Sequence, residues 1–297
     1  MTTEAIRIAS TKRNQLKSIE KLTLNYCLNT LSNRFPHLAA ELAQKVLLRP
    51  KKVERTDEDL KILKSARIKD IPYGNMKLTT MSWGSSKRPV VLLVHGWGGY
   101  GTQLASFIKP LLDANYRVVT FDSPGHGHSA GRSVTIAEMV NSISFMANHF
   151  GPIHGVVAHS MGALATTLVL KSGLYIPRVV FLSTSLNLIH NSIEMLKFLG
   201  LSAKSRELVF KNIEDKYQMD FNAIKDSSSL FNMKSPLLIF HDMDDKEVPY
   251  IDGQNFAKHW PGSQFVRSKG LGHLGILHSE NIINKTVQFI DQSLIRK

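Results

Sequence analysis

The 297-residue chain is long enough for one large α/β domain or two smaller ones, and its net charge of +13 includes +7 within residues 1–70. Its single cysteine, Cys27, excludes an intramolecular disulfide and a cysteine-based metal site. No apolar run approaches the roughly 18 residues of a membrane span, and the opening "MTTEAIRIASTKRNQLKSIEK" has no apolar signal core, so a soluble, cytoplasmic protein is expected.

Residues 4–49 carry helical periodicity: Leu16, Ile19 and Leu22 recur at three-residue spacing, followed by Tyr26 at four. Pro36 interrupts the pattern and predicts a break, with a second helix in "HLAAELAQKVLL" ending before Pro50. Residues 51–66 are highly charged and read as a short helix or a linker. The basic excess of this region reads as a solvated face. No nucleic-acid motif accompanies it and no nucleic-acid partner is expected, while a weak contact with an anionic membrane surface stays open.

From Ile68 the pattern changes. "RIKDIPYGNMKLTTMSWG" alternates loosely about Gly74-Asn75 and predicts a hairpin. Short apolar runs follow: "VVLLV" (90–94), "RVVTF" (117–121), "HGVVA" (154–158), "RVVFL" (178–182) and "PLLIF" (236–240). Between them, 102–114, 135–149 and 161–172 read as helices. Continuous apolar strands alternating with helices predict an α/β fold with a mostly parallel, doubly wound sheet. Such sheets bind ligands at the carboxyl ends of their strands.

The segments after each run therefore carry the functional signal. "HGWGG" (95–99) offers a tight backbone path whose N–H groups can face a ligand. "DSPGHGHSAG" (122–131) is a long shaped loop; His126 and His128 read as loop residues, since no further ligand set completes a metal site. Ala158-His159-Ser160-Met161-Gly162 differs by one residue from the G-x-S-x-G elbow, which lifts a serine hydroxyl from a strand-to-helix turn. The helix opening at Met161 favours negative charge beside that serine. "HDMDDKEVP" (241–249) supplies Asp242, Asp244 and Asp245, any of which can orient an imidazole. "KGLGHLGIL" follows the last strand, "QFVRS", and supplies His273, completing the chain order Ser, Asp, His.

As an ordered set, "LLVHGWGG", "FDSPGHGHSAG", "AHSMGA", "LLIFHDMDDKEVP" and "GLGHLGIL" resemble the α/β-hydrolase superfamily, in particular bacterial esterase-like serine hydrolases, from about residue 70 onward. The resemblance implies an α/β-hydrolase fold, with Ser160 as nucleophile, His273 as general base and Asp245 as the acid. Asp242 replaces the usual glycine and places a second carboxylate nearby. The resemblance further implies an oxyanion hole from the backbone N–H groups of Trp97 and Met161, with no metal and no cofactor. Residues 1–66 are then a helical extension, 67–184 with 234–297 the core, and 185–233 an inserted helical cap. "SIEMLKFLGL" and "SRELVFKNIEDKYQ" are the expected cap helices. The expected activity is hydrolysis of a small-molecule carboxylic ester. A thioesterase, an amidase or peptidase, a carbon–carbon bond hydrolase and a non-catalytic binding protein are the alternatives on the same scaffold.

Overall fold

The computed structural model describes residues 26, 28–51 and 53–292. The predicted stripe through Leu16, Ile19 and Leu22 lies outside the described residues. Two compact units form: one takes the described residues up to Leu47 together with Ile189–Asp220, the other Leu48–Leu188 together with Phe221 onward.

The larger unit is built on eight strands. They are β1 (Arg67–Tyr73), β2 (Met76–Trp83), β3 (Val90–Val94), β4 (Arg117–Phe121), β5 (Ile153–His159), β6 (Arg178–Leu182), β7 (Leu237–Asp242) and β8 (Gln264–Ser268), in the order β1-β2-β4-β3-β5-β6-β7-β8. β1 and β2 make the predicted hairpin, with Gly74 at φ 55° in its two-residue turn. β2 pairs antiparallel with β4, and all remaining pairs are parallel. Every residue of β3 and β7 is buried, and β3 together with Leu237–Phe240 of β7 reads as unbroken apolar runs rather than alternating ones.

Helices cover both faces of the sheet. Val91 and Leu93 of β3, Val157 of β5 and Val180 and Leu182 of β6 share one apolar cluster with helix residues Ile108, Leu111, Ile283 and Ile290. Those residues lie on α4 (Ile108–Asp113) and α12 (Glu280–Asp291). On the other face α5 (Ile136–Phe150) packs beside α6 (Met161–Lys171), and the helix backbone at Gly162 comes against Val94. The segment expected as the helix 102–114 instead begins as a tight 3₁₀ turn over Gly101–Phe107 and becomes α-helical at Ile108. α9 (Phe221–Lys225), α10 (Tyr250–His259) and the single turn α11 (Gly272–Gly275) complete this unit. The parallel strands β3 to β8 bring their carboxyl ends, and hence all five loops singled out above, to one edge.

The charged stretch 51–66 contains a helix, α3 (Asp57–Lys64), opened by a capping box in which Thr56 and Asp59 satisfy each other's backbone N–H groups. It belongs to the larger unit, so the compact division falls at 47/48 rather than at 66/67. The reason is a set of polar contacts that tie Leu48, Arg55 and Asp59 to the loops after β3 and β4.

The smaller unit joins residues distant in sequence. It holds α1 (residues 28–34), α2 (Pro36–Leu47), α8 (Ala203–Tyr217) and all but the first residue of α7 (Leu188–Phe198). Pro36 does interrupt the helical run, and it does so as the first residue of α2, where its missing N–H costs nothing. α2 packs on α8, burying Ala39, Ala40 and Ala43 on one side and Val209 and Ile213 on the other. Ser205 donates to the Ser32 carbonyl at 3.0 Å, and Ser32 Oγ accepts from Ser202 N at 2.9 Å.

Leu93 lies fully buried at the centre of the sheet. Leu93→Ala is expected to cost about 2–5 kcal/mol, because the close-packed strand surroundings cannot collapse into the vacated volume. A lowered urea midpoint for the transition of the larger unit is the readout.

Candidate active site

Ser160 sits between β5 and α6 with φ 52° and ψ −121°, a backbone conformation that non-glycine residues adopt at a cost of order 1–3 kcal/mol. The turn is held from both sides. Ser160 N donates to the Leu182 carbonyl at 2.9 Å, and the Ser160 carbonyl accepts from Ala163 N at 2.9 Å. Two glycines let the backbone close up here. A β-carbon on Gly162 would stand 2.4 Å from the His95 carbonyl oxygen, and one on Gly96 would stand 3.1 Å from Ser160 Cβ. Ala158, where the family pattern has glycine, is fully buried in β5.

His273 and Asp245 come together. His273 Nδ1 donates to Asp245 Oδ2 at 2.8 Å, with both side chains almost fully buried. Burial pushes the Asp245 pKa up. The hydrogen bond from His273 and the backbone N–H groups of Val248 and Glu247 outweigh it and bring the carboxyl to about 2. Asp242 is occupied otherwise. Its carboxylate accepts from Asp244 N (3.0 Å), Gly272 N (2.9 Å), Leu271 N (3.2 Å) and Ser268 Oγ (2.7 Å), which braces the loop that carries His273. Burial pushes the Asp242 pKa up as well, and these donors bring it below its ordinary value. Asp244 caps the neighbouring Gly270 N–H at 3.0 Å.

His273 is joined to the elbow through His159. The two rings lie 4.6 Å apart, and His159 Nε2 donates to the His273 carbonyl at 3.1 Å. Ser160 Oγ and His273 Nε2 are not hydrogen-bonded; Nε2 instead lies 3.7 Å from Oε2 of the exposed Glu247. Neither His159 nor Glu247 stood out in the sequence. His159 was visible only as the residue before the serine, and the approach of Glu247 arises from the fold of the β7 loop.

The N–H groups of Trp97 and Met161 find no acceptor among the described residues. Trp97 lies in the loop after β3, which two neutral imidazoles pin to the loop after β4. His95 Nδ1 donates to the Gly96 carbonyl (2.7 Å) while its Nε2 accepts from Ser123 N (3.0 Å). His126 Nδ1 donates to the Pro124 carbonyl (2.9 Å) while its Nε2 accepts from Gly98 N (3.0 Å). Both rings are buried, and burial lowers both pKa values, that of His126 to about 3. His126 thus spends both ring nitrogens on the backbone, and His128 lies beside Arg55. Among the described residues no group of three or more His, Cys, Asp or Glu side chains is placed to hold a metal ion.

The comparisons with known proteins agree with this architecture. A family model described as the alpha/beta hydrolase fold matches residues 89–213. The magnesium-chelatase 30 kDa subunit of Rhodobacter capsulatus is 35% identical over 109 residues, which are 35% of this chain and 37% of that protein. The pimeloyl-[acyl-carrier protein] methyl ester esterase of Methylococcus capsulatus is 47% identical over 45 residues, 15% of this chain and 17% of that one. The chain thus spans about a third or less of the curated relatives it matches. The solved structure of an esterase from Pyrococcus furiosus superposes with a TM-score of 0.59 at 19% identity, covering 82% of this chain and 98% of the other. The strand order, the strand-to-helix elbow and these matches give the chain the α/β-hydrolase fold.

The buried imidazole of His126 gives a pH prediction. Below its ordinary 6.5 the unfolded chain takes up a proton that the folded ring refuses until about pH 3, so stability falls as pH drops through that window. His126→Gln is expected to make this acid-side fall shallower by about 1.4 kcal/mol per pH unit, read from urea titrations between about pH 6 and 4.

Proposed function

We propose that the chain is a serine hydrolase of carboxylic esters acting through an acyl-enzyme. The observation that carries the reading is the strained elbow at Ser160, adjacent to the ring pair that holds the buried His273–Asp245 couple. In this reading Ser160 Oγ attacks the ester carbonyl and His273 Nε2 takes its proton. Asp245 holds the imidazole with Nδ1 protonated and stabilises the cation that forms. The N–H groups of Trp97 and Met161 donate to the oxyanion of the tetrahedral intermediate. His273 then returns the proton to the departing alkoxide. Water, activated by the same imidazole, releases the acid from Ser160.

Catalytic hydrogen bonds are often long without substrate and tighten in the complex, so the open Ser160–His273 gap is compatible with this sequence of steps. The esterase names among the relatives support the substrate class, and the fold supports a hydrolase. Asp245 is the better candidate for the acid, since Asp242 spends its oxygens on four donors that shape the loop.

Ser160→Ala is expected to remain folded and to lose about 10³-fold or more in kcat on p-nitrophenyl esters. Intact mass after treatment with a fluorophosphonate should show one adduct on the unmodified chain and none on Ser160→Ala. A folded Ser160→Ala protein with undiminished turnover overturns the reading. A second comparison concerns the carboxylates. Asp245→Asn should lower kcat by several orders of magnitude at nearly unchanged melting temperature, whereas Asp242→Asn should chiefly lower the melting temperature. The opposite pattern reverses the assignment.

A further inference from the structure

Arg55 makes a buried polar contact outside the proposed triad. Its Nη2 donates to both oxygens of Asp122, at 2.9 and 2.8 Å, and the two side chains are 7% and 0% exposed. Asp122 opens the loop after β4 and is satisfied twice more, by Gly101 N (2.7 Å) from the turn after β3 and by His128 N (2.7 Å) from its own loop. One carboxylate therefore joins three chain segments. The fit is tight: a β-carbon on Gly127 would lie 2.2 Å from Asp122 Cγ.

The contacts extend along residues 48–51 and 53–59. The Leu48 carbonyl accepts from Val134 N at 2.8 Å. The guanidinium of Arg55 lies 5.2 Å over the ring of Tyr100, whose hydroxyl donates to Asp59 at 2.6 Å. Asp59 is the same residue that caps α3 through Thr56, so the helix start and the Tyr100 anchor are one unit. Tyr100 and Gly101 close the glycine loop that contains Trp97, and His126 holds Gly98 N from the other side. That loop has three glycines in five residues, and its His95 and Trp97 rings both pack on His126 of the loop after β4. Its shape is set by what is tied to it.

We propose that residues 48–51 and 53–59 form a strap that fixes the loops after β3 and β4, with Arg55 as the positioning residue at its centre. The catalytic consequence rests on the serine-hydrolase reading above: the strap holds Trp97 N–H where the oxyanion develops, although no strap residue touches substrate. A guanidinium suits this task, because its plane directs Nη2 at both Asp122 oxygens and Nη1 at the His128 ring at once, which the single nitrogen of an ammonium does not.

The test uses the full chain with Arg55→Lys, which keeps the charge but not the plane, and Arg55→Met, which removes both. Hydrogen exchange by mass spectrometry should be faster than wild type in peptides covering 95–103 and 122–130, and unchanged in peptides covering β6 and β7. Turnover of p-nitrophenyl acetate, expressed per site titrated with fluorophosphonate, should fall about 10–100-fold in kcat for Arg55→Lys, with KM within about twofold. A loss of folding alone lowers the number of titrated sites and leaves kcat per site unchanged. If Arg55→Met does not fold, Arg55→Lys decides. Wild-type exchange in both loop peptides of a folded variant overturns the strap. Faster exchange with unchanged kcat per site overturns the positioning role of Arg55. If the wild type itself neither turns over ester nor takes the adduct, the hydrolase reading is what fails, and the exchange data still decide the strap.

Discussion

The site depends on how closely two backbones approach. The chain leaving β3 and the chain leaving β5 touch at Gly96 and Gly162, where a β-carbon would meet Ser160 or the His95 carbonyl. This contact lets the elbow turn at Ser160 stand beside the glycine loop rather than a side chain's width away. The strained φ of Ser160 is tolerated because the residues before and after it are fixed in the sheet and at the start of α6. The parallel sheet brings the His273 and Asp245 loops to the same edge. Small residues at the crossing therefore act on chemistry indirectly, by setting a distance between backbones.

Around this contact the protein uses neutral imidazoles as fasteners. His95 and His126 each donate through Nδ1 and accept through Nε2, which only the uncharged ring can do. His159, whose pKa burial also lowers to about 3, links the elbow to the His273 loop in the same spirit. Burial keeps all three uncharged, so the rings supply directional hydrogen bonds without adding positive charge to the site. Carboxylates do the complementary work: Asp242 gathers backbone N–H groups for the His273 loop, and Asp122 gathers them for the loops after β3 and β4.

Much of this arrangement was legible in the sequence, and the reason is physical. Strands buried on both faces leave unbroken apolar runs, so "VVLLV" and "PLLIF" mark β3 and β7 almost to the residue. Loops at the carboxyl ends follow directly, and Ser160 and His273 could be singled out by position, whereas position left Asp242, Asp244 and Asp245 open and only the resemblance pointed to Asp245. The pairing of His273 with Asp245 rather than Asp242 follows from which carboxylate the β7 loop turns toward the ring. Arg55 and Asp59 were not legible. They lie in a stretch of alternating charges that has the composition of a solvated linker. Their partners, Asp122 and Tyr100, are 67 and 41 residues away. An ion pair of this kind has no period and no local spacing, so nothing in the stretch itself marks it. The same holds for α2, whose alanine face is ordinary for a helix and acquires meaning only when α8 covers it.

The pairing of α2 with α8 also bears on how the chain is made. Ser32 and Ser205, which hydrogen-bond across that contact, are 173 residues apart. At about 5–20 residues added per second, α2 leaves the ribosome roughly ten to thirty seconds before its partner helix exists. Phe35, Leu38, Leu42 and Val46 remain exposed even in the finished protein, and the alanine face is bare as well during that interval. Assembly of the smaller unit must therefore wait for most of the sheet to be synthesised. The growing chain presents an apolar helix to whatever holds nascent chains apart, and the order of synthesis makes the first helices among the last to find their place.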